Sequence, residues 1–274
     1  MKRSRHADMV SGNWDSEWKR QQGEKGGGSR GGALAGLLAG VKGAIGGSAL
    51  TRGCCSVLRR EAGGAPTGLS MLEAGCGTSN IAVVMAGEKA RCFQFDISDT
   101  ALEISKETFR KVSLEACLIK GDLFRMPFED ASFDIVWNVG VLEHFPKDLQ
   151  DSALREMVRV CRPKGRVVTF NPYARGYIYR AGKWLAEKTG RWTIGYEVPV
   201  KTLRPNLKRI DPALKVHEYS FGFLLQFLVF KHLIRKNRAA LAVYSALYEA
   251  VNLVLAPLNR LPGFLLVTVI ERER

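Results

Sequence analysis

The sequence predicts an α/β fold built on a doubly wound, mostly parallel sheet of seven strands. Between residues 69 and 172, short apolar runs alternate with segments of helical periodicity, as in consecutive β-α-β units. A glycine-rich turn follows the first of these runs, and an acidic residue ends the second. The composition is that of an ordinary globular protein, because 46% of the 274 residues are hydrophobic and 25% are charged. We therefore expect one large domain, with embellishments on either side of the core.

The core elements follow one another in a regular order. Strands are predicted for the runs LSMLEA, RCFQFD, ACLIKGD, SFDIVWNVG and GRVVTFNP, which are short, apolar and bounded by polar or glycine-rich turns. Helices are predicted for NIAVVMAGE, SDTALEISKETFRKV and KDLQDSALREMVRVC. Since parallel strands need right-handed crossovers, these helices are expected to cover both faces of the sheet.

The segments on either side of this core differ from it in composition. Residues 1–33 are polar and glycine-rich and are expected to be a flexible basic tail, followed by a helical segment over 34–68. Within the tail, Trp14 and Trp18 are spaced to form a short helix that could dock on the body. Residues 173–274 are expected to hold a helix at 174–190, a sixth strand at 213–218, two very apolar helices at 221–234 and 239–258, and a closing strand over GFLLVTVIER. We interpret the apolar helices as a lid over the site, with contact to a membrane as the alternative.

The charge is unevenly distributed along the chain. Residues 67–161 carry 10 basic and 15 acidic residues, whereas residues 162–274 carry 20 basic and 7 acidic ones. This asymmetry favours an anionic partner, such as an anionic membrane surface, nucleic acid or a phosphorylated substrate, although a solvated basic face would explain it equally well. The six cysteines and four histidines have no metal-ligand spacing, so no metal is expected. No secretory signal is recognised, and a cytoplasmic protein with free thiols is expected.

The glycine-rich turn after the first strand predicts a cofactor site. Gly75 and Gly77 allow a tight turn and a close approach to a ligand, and Asp96 at the end of the second strand can accept the hydroxyls of a ribose. A dinucleotide is disfavoured, because Asn80 replaces the third glycine of its fingerprint and Glu73 would repel a pyrophosphate. A carboxylate at this point suits a cationic ligand, and S-adenosylmethionine (SAM) carries a sulfonium and an ammonium group without a phosphate.

Five motifs that follow one another in the sequence resemble those of a known family. LEAGCGTS, FQFDIS, GDLFRMPF and FDIVWNVGVLEHF, followed by LREMVRVCRPKGRVVTFNP, resemble the class I SAM-dependent methyltransferases of the small-molecule type, similar to those of ubiquinone biosynthesis. The resemblance extends from Leu72 to Pro172. It implies a Rossmann-like methyltransferase fold, SAM as cofactor, and a SAM-binding core over 69–172. Two positions depart from the family pattern, namely Ser79 in the glycine loop and the turn Arg162-Pro163-Lys164-Gly165.

The resemblance also implies a set of cofactor-binding residues at the ends of the strands. They are Glu73, Gly75, Cys76 and Gly77 at the methionine end, Asp96 and Ile97 at the ribose and beside the adenine, Asp122 and Leu123 at the adenine, and Asn138 and Val139 under the sulfonium. Cys76 is expected to be a small loop residue rather than a nucleophile, because no activating histidine lies near it in sequence.

The predicted catalytic residue is His144 in the motif VLEHF, just past the fourth strand, where an imidazole could take a proton near neutral pH. The alternative for His144 is a local packing role. The acceptor is expected to be a small, hydrophobic molecule, such as a quinone precursor, a lipid or a natural product, and nucleic acid is not the expected partner. An RNA or protein methyltransferase and a non-catalytic SAM-binding protein remain the alternative functions.

Overall fold

Seven strands form a single sheet in a computed structural model that describes residues 14–16, 18–19, 47–78 and 80–272. The strands are β1 (Ser70–Ala74), β2 (Arg91–Asp96), β3 (Cys117–Lys120), β4 (Phe133–Val139), β5 (Cys161–Pro172), β6 (Lys215–Phe221) and β7 (Leu265–Glu271). Their order is β3-β2-β1-β4-β5-β7-β6, and β7 runs antiparallel to both of its neighbours while the other pairs are parallel. The predicted fold class is confirmed.

Over the described residues 47–78 and 80–272, one helix precedes β1 and the other helices lie between strands. They are α1 (Ala49–Glu61), α2 (Asn80–Gly87), α3 (Asp99–Arg110), α4 (Lys147–Val160), α5 (Tyr177–Lys188), α6 (Arg204–Ile210), α7 (Phe230–Ile234) and α8 (Arg238–Val254), with 3₁₀ turns at Leu142–His144, Leu224–Val229 and Ala256–Arg260. The long helix predicted over 221–234 is wrong. Phe221 ends β6, Gly222 turns the chain with a φ of 88°, and the apolar run continues as a 3₁₀ segment and the short α7.

Local sequence signals explain where several helices begin. The hydroxyl of Ser98 accepts a hydrogen bond from the backbone N–H of Ala101 (3.1 Å), which caps α3. Asn237 caps α8 in the same way through the N–H of Ala240 (3.0 Å). These side chains satisfy backbone donors that a helix leaves without a partner at its first turn.

The two faces of the sheet bury separate apolar clusters, as the alternation of side chains along a strand requires. Met71 of β1 packs in one cluster with Trp137 of β4, whereas the adjacent residues Leu72 and Val136 pack in the other. Every residue of β1 is buried. Because helices cover both faces of this central strand, the consecutive residues Met71 and Leu72 are both apolar rather than alternating with polar ones.

The carboxyl ends of β1, β2 and β4 meet at one edge of the sheet. There the backbone N–H groups of Gly75 and Cys76 donate to the carbonyl of Phe95 (2.7 and 3.1 Å), so the glycine loop is fastened to β2. Residues 14–16 and 18–19, inside the tail expected to be flexible, are helical and lie at this edge. The rest of the 1–33 tail and the start of the 34–68 segment fall outside the described residues. Within the described parts of the chain, no helix combines the length and apolar composition needed to cross a membrane.

Candidate active site

A cavity of about 490 Å³ lies where the carboxyl ends of β1, β2 and β4 converge. Its volume falls in the range of small-molecule sites. Ten of the eleven predicted site residues line it: Glu73, Gly75, Cys76, Gly77, Asp96, Ile97, Asp122, Leu123, Val139 and His144. Ser79, the departure noted in the glycine loop, lies outside the described residues.

Asn138 is the predicted residue that does not line the cavity. Its side chain is fully buried and its Nδ2 donates to the sulfur of Met157 on α4 at 3.5 Å. Successive residues of a strand face opposite sides of the sheet, so Val139 faces the cavity and Asn138 faces α4. The sequence motif places the end of β4 at the cavity, but it does not predict that the side chain of Asn138 points away from it.

The glycine loop needs its glycines for two reasons. Gly75 has a φ of 81°, and a Cβ built there would lie 2.8 Å from a methyl group of Val141. Gly77 has a φ of 49°, and a Cβ there would lie 3.0 Å from the ring of Trp18. Glycine at these two positions therefore allows the close approach of Val141 and Trp18 to the loop.

Asp96 holds the loop in place with both carboxylate oxygens. One oxygen accepts from the N–H of Gly77 and the other from the N–H of Ser98, each at 3.0 Å. Burial raises the pKa of Asp96, and these backbone hydrogen bonds act in the opposite direction. Asp96 thus joins the end of β2 to the glycine loop at the position predicted for a ribose.

The charges around the cavity select the type of ligand. Five carboxyl groups line it, those of Glu73, Asp96, Asp122, Glu143 and Glu197, and among the described lining residues there is no lysine or arginine. A pyrophosphate would find carboxylates and no basic side chain, whereas a sulfonium or ammonium group would be stabilised. The chemistry of these groups fits SAM and does not fit a dinucleotide.

Cys76 lines the cavity as a neutral thiol. Burial raises the pKa of Cys76 well above its ordinary value, and the carboxylates of Asp96 and Glu73 add to the effect. Since the thiolate is the reactive form, this cysteine is not activated as a nucleophile.

His144 ends the 3₁₀ turn after β4 and sits at the other end of the cavity. Its Nδ1 lies 2.5 Å from the carbonyl oxygen of Tyr196, and because a carbonyl can only accept, Nδ1 carries the proton in the neutral ring. Burial lowers the pKa of His144, while hydrogen bonds to the Tyr196 and Gly140 carbonyls oppose the change. Nε2, the basic nitrogen of the neutral ring, lies 3.9 Å from a carboxyl oxygen of Glu143.

A cluster of Glu143, Glu197 and Tyr179 completes this end of the cavity. The hydroxyl of Tyr179 lies 2.9 and 3.0 Å from the two carboxyl oxygens of Glu197. Burial raises the pKa of Glu197 to about 7. Burial, reinforced by Glu197, also raises the pKa of Glu143 well above its ordinary value, and one oxygen of Glu143 is buried without a hydrogen-bond partner. Glu197 can therefore hold or exchange a proton near neutral pH.

Sequence reasoning missed Tyr179 and Glu197. They come from α5 and from the loop after it, which attaches to the 3₁₀ turn through a hydrogen bond from the N–H of Val198 to the carbonyl of Glu143 (3.0 Å). Glu197 stands in the ordinary loop sequence YEVP, and Tyr179 is one of several aromatic residues on its helix. The one signal that could have drawn attention to Glu197 is its position as a single acid among the mostly apolar residues 194–200.

The short N-terminal helical segment lies at the mouth of the cavity. The ring of Trp14 meets His144 edge-on at a centroid distance of 5.0 Å and packs on Trp18 at 6.0 Å. Asp15 accepts hydrogen bonds from the hydroxyl of Ser98 and the N–H of Thr100, so the segment is attached at the start of α3. The docking expected from the tryptophan spacing is confirmed.

The region that carries this site is similar to known methyltransferases. Residues 72–169 match the family model described as "Methyltransferase domain". The demethylmenaquinone methyltransferase of Staphylococcus epidermidis is 37% identical over 105 residues, which is 37% of this chain and 42% of that protein. The methyltransferase GfsG of Streptomyces halstedii is 30% identical over 112 residues, 40% of each chain. This chain thus spans about two fifths of the length of these relatives.

A solved structure shows the same fold over nearly the whole chain. Magnesium protoporphyrin IX methyltransferase from Synechocystis PCC 6803 with bound SAM has a TM-score of 0.54 and 12% identity, covering 97% of this chain and 96% of that one. The fold, the matched motifs and the acidic, phosphate-excluding cavity all indicate SAM as the cofactor. Residues 72–169 thus match a methyltransferase domain, within a fold shared with a solved methyltransferase structure.

Proposed function

We propose that the protein transfers a methyl group from SAM to a small, largely apolar acceptor that bears one proton-donating polar group. The observation that carries this proposal is the continuity of one cavity from the acidic glycine loop to the cluster of Glu143, Glu197 and Tyr179. The first end suits a cationic cofactor, and the second offers groups that hydrogen-bond and accept a proton.

The residues of the glycine-loop end would bind and orient the cofactor. Glu73 and Asp96 would face its cationic and ribose parts, and Asp122 with Ile97 and Leu123 would surround the base. Bound SAM supplies an activated methyl group that already carries its leaving group. The contribution of the chain is then mainly alignment, which can lower a barrier by about 7–11 kcal/mol when the reactants are well oriented.

The residues of the other end would manage the acceptor's proton. His144 donates its Nδ1–H to Tyr196, which leaves Nε2 able to take a proton from a hydroxyl or amine. Burial raises the pKa of Glu143 and so favours its protonated form, which would donate a hydrogen bond to the same polar group. Glu197 is held by Tyr179 and can accept a proton in turn.

The wall between these polar groups is apolar and favours an apolar acceptor body. It consists of aromatic and aliphatic side chains, namely Phe124, Phe145, Ile194, Phe264 and Leu265. Quinone precursors, lipids and apolar natural products share this combination of an apolar body and a polar, proton-bearing group. Such molecules partition into membranes, and the expected contact with an anionic membrane surface would bring the protein close to them.

The test is transfer of a labelled methyl group from SAM in a cell extract, followed by separation of organic-soluble, aqueous, RNA and protein fractions. Asp96→Asn should abolish the label, because it removes a carboxylate that faces the cofactor and fastens the glycine loop. Asp148→Asn is the matched control, since Asp148 is an exposed aspartate on α4. We expect label in the organic fraction that depends on Asp96 and not on Asp148.

The other outcomes separate the alternatives. Label in RNA or protein would keep the cofactor and overturn the acceptor class. Calorimetric binding of SAM without transfer into any fraction would instead favour a binding protein that retains the fold. No binding of SAM would overturn the proposal as a whole.

A further inference from the structure

An exposed apolar surface lies on α8 and the turn that follows it. It consists of Leu247, Val251, Val254, Leu255, Leu258 and Leu261, which we call the C-terminal apolar surface. These side chains are 37–76% exposed. The steps of three and four between 247 and 258 place them along one side of the helix and its continuation. Large apolar side chains clustered in this way are unusual on a protein surface and mark an interaction site.

The opposite side of α8 packs on the apolar core through Tyr248 and Tyr244 and also makes polar contacts. Asn252 is 2% exposed and donates to the carbonyl of Tyr248 at 2.9 Å. Its own Oδ1 accepts from Asn259 at 2.8 Å, and the Oδ1 of Asn259 accepts from the N–H of Leu224 at 3.0 Å. Aromatic packing and these hydrogen bonds therefore hold one side of α8 against the protein, and the residues of the C-terminal apolar surface remain outward. Such an arrangement suits an apolar environment outside the protein.

The charged residues around this surface are mostly basic. Residues 231–262 contain five basic residues and a single acidic one, Glu249. Glu249 faces inward, where it accepts from the N–H of Ala49 at 3.2 Å and lies 3.9 Å from Arg52. Lys236 and Arg238 at the start of α8 are exposed, as is Arg260 beyond its end.

We propose that the C-terminal apolar surface inserts into the interface of an anionic lipid bilayer, with the basic residues at its ends on the headgroups. A helix that lies in the interface needs an exposed apolar face flanked by basic residues, and this region has both. The neutral, apolar centre would provide the buried area, and the exposed lysine and arginines would provide the preference for anionic lipid.

The C-terminal apolar surface is also adjacent in sequence to residues that line the cavity. Gly263 connects Leu261 and Pro262 to Phe264 and Leu265, and the last two line the cavity. The centroid of the Phe264 ring lies 4.6 Å from that of Tyr179, which belongs to the cluster with Glu143 and Glu197. Insertion here would bring the bilayer to the acceptor end of the site, a consequence that rests on the proposed function, whereas the docking itself does not.

The experiment is flotation of the full chain with phosphatidylcholine vesicles, with and without phosphatidylglycerol, in the absence of SAM and acceptor. We expect flotation with the anionic vesicles that weakens as salt is raised. The triple variant Leu247→Glu, Val254→Glu and Leu258→Glu should lose at least about tenfold in partitioning, since it removes apolar area and adds repulsion. Val112→Glu is the matched control, because Val112 is 51% exposed and lies at the end of α3. It should float like the unmodified chain.

Each other result overturns the inference. Absence of flotation, or an equal loss in the Val112→Glu control, would exclude this surface as the membrane contact. A concentration-dependent dimer that the triple variant dissolves, with flotation unchanged, would assign the surface to a second copy of the chain. Since the assay contains neither cofactor nor acceptor, its outcome is independent of whether methyl transfer is observed. Circular dichroism and the urea midpoint of each variant would verify that it is folded.

Discussion

Glu197→Gln should make the stability of the protein less dependent on pH. Burial raises the pKa of Glu197 from its ordinary 4.5 to about 7, although the hydroxyl of Tyr179 and the charge of Lys183 act to lower it. An acid whose pKa is raised by folding contributes its full stability below the unfolded pKa and loses it as the pH rises through the folded pKa. The difference between 4.5 and about 7 corresponds to a loss of about 3 kcal/mol above pH 7, at 1.36 kcal/mol per unit.

Glutamine has the same shape and no charge at any pH, so the variant avoids this loss. We expect equal free energies of unfolding near pH 4 and a variant more stable by about 3 kcal/mol near pH 8. The assay is urea unfolding of both proteins at intervals across this range. Because Glu143 and Asp96 are unchanged, their own titrations cancel in the difference.

Two further variants sharpen the assay. Glu103→Gln, an exposed glutamate on α3, should show no such pH-dependent difference from the unmodified chain. Tyr179→Phe removes a hydroxyl that lowers the pKa of Glu197, so the loss of stability with rising pH should become larger. Parallel unfolding curves for Glu197→Gln and the unmodified chain across the whole range would refute the assignment of a raised pKa to Glu197.

Two predictions concern the glycine-loop end of the cavity. Gly75→Ala should lower the free energy of unfolding by about 2–4 kcal/mol, from the left-handed backbone and the 2.8 Å contact with Val141, and should weaken calorimetric SAM binding. Adding Val141→Ala should recover the packing part of that binding loss, and no recovery at all would show that the backbone alone decides it. Trp18→Ala should weaken SAM binding about fivefold or more, because Trp18 packs over Gly77 at the mouth of the site. An unchanged dissociation constant would mean that the ring touches the loop without closing it.

The order of the core elements and half of the site follow from the sequence by itself. The alternation of apolar runs and amphipathic segments predicts β1 to β5 with the helices between them, since burial on both faces dictates both patterns. The glycine turn after β1 and Asp96 at the end of β2 are local features. Parallel strands bring their carboxyl ends together, so the convergence of these residues at one edge could be expected before any coordinates.

Tertiary structure alone decided the other half. Tyr179 on α5 and Glu197 in the loop after it carry no sequence motif, yet both line the cavity with His144. Trp14 reaches His144 from more than a hundred residues away in the chain. Asn138 turns toward α4 because its neighbour Val139 faces the cavity, a choice that the motif does not encode. The placement of α8, with its polar residues inward, also depends on contacts with distant segments. Periodicity in the sequence shows which residues of one helix or strand share a buried face. The position of a side chain in a cavity depends instead on partners that are remote in sequence.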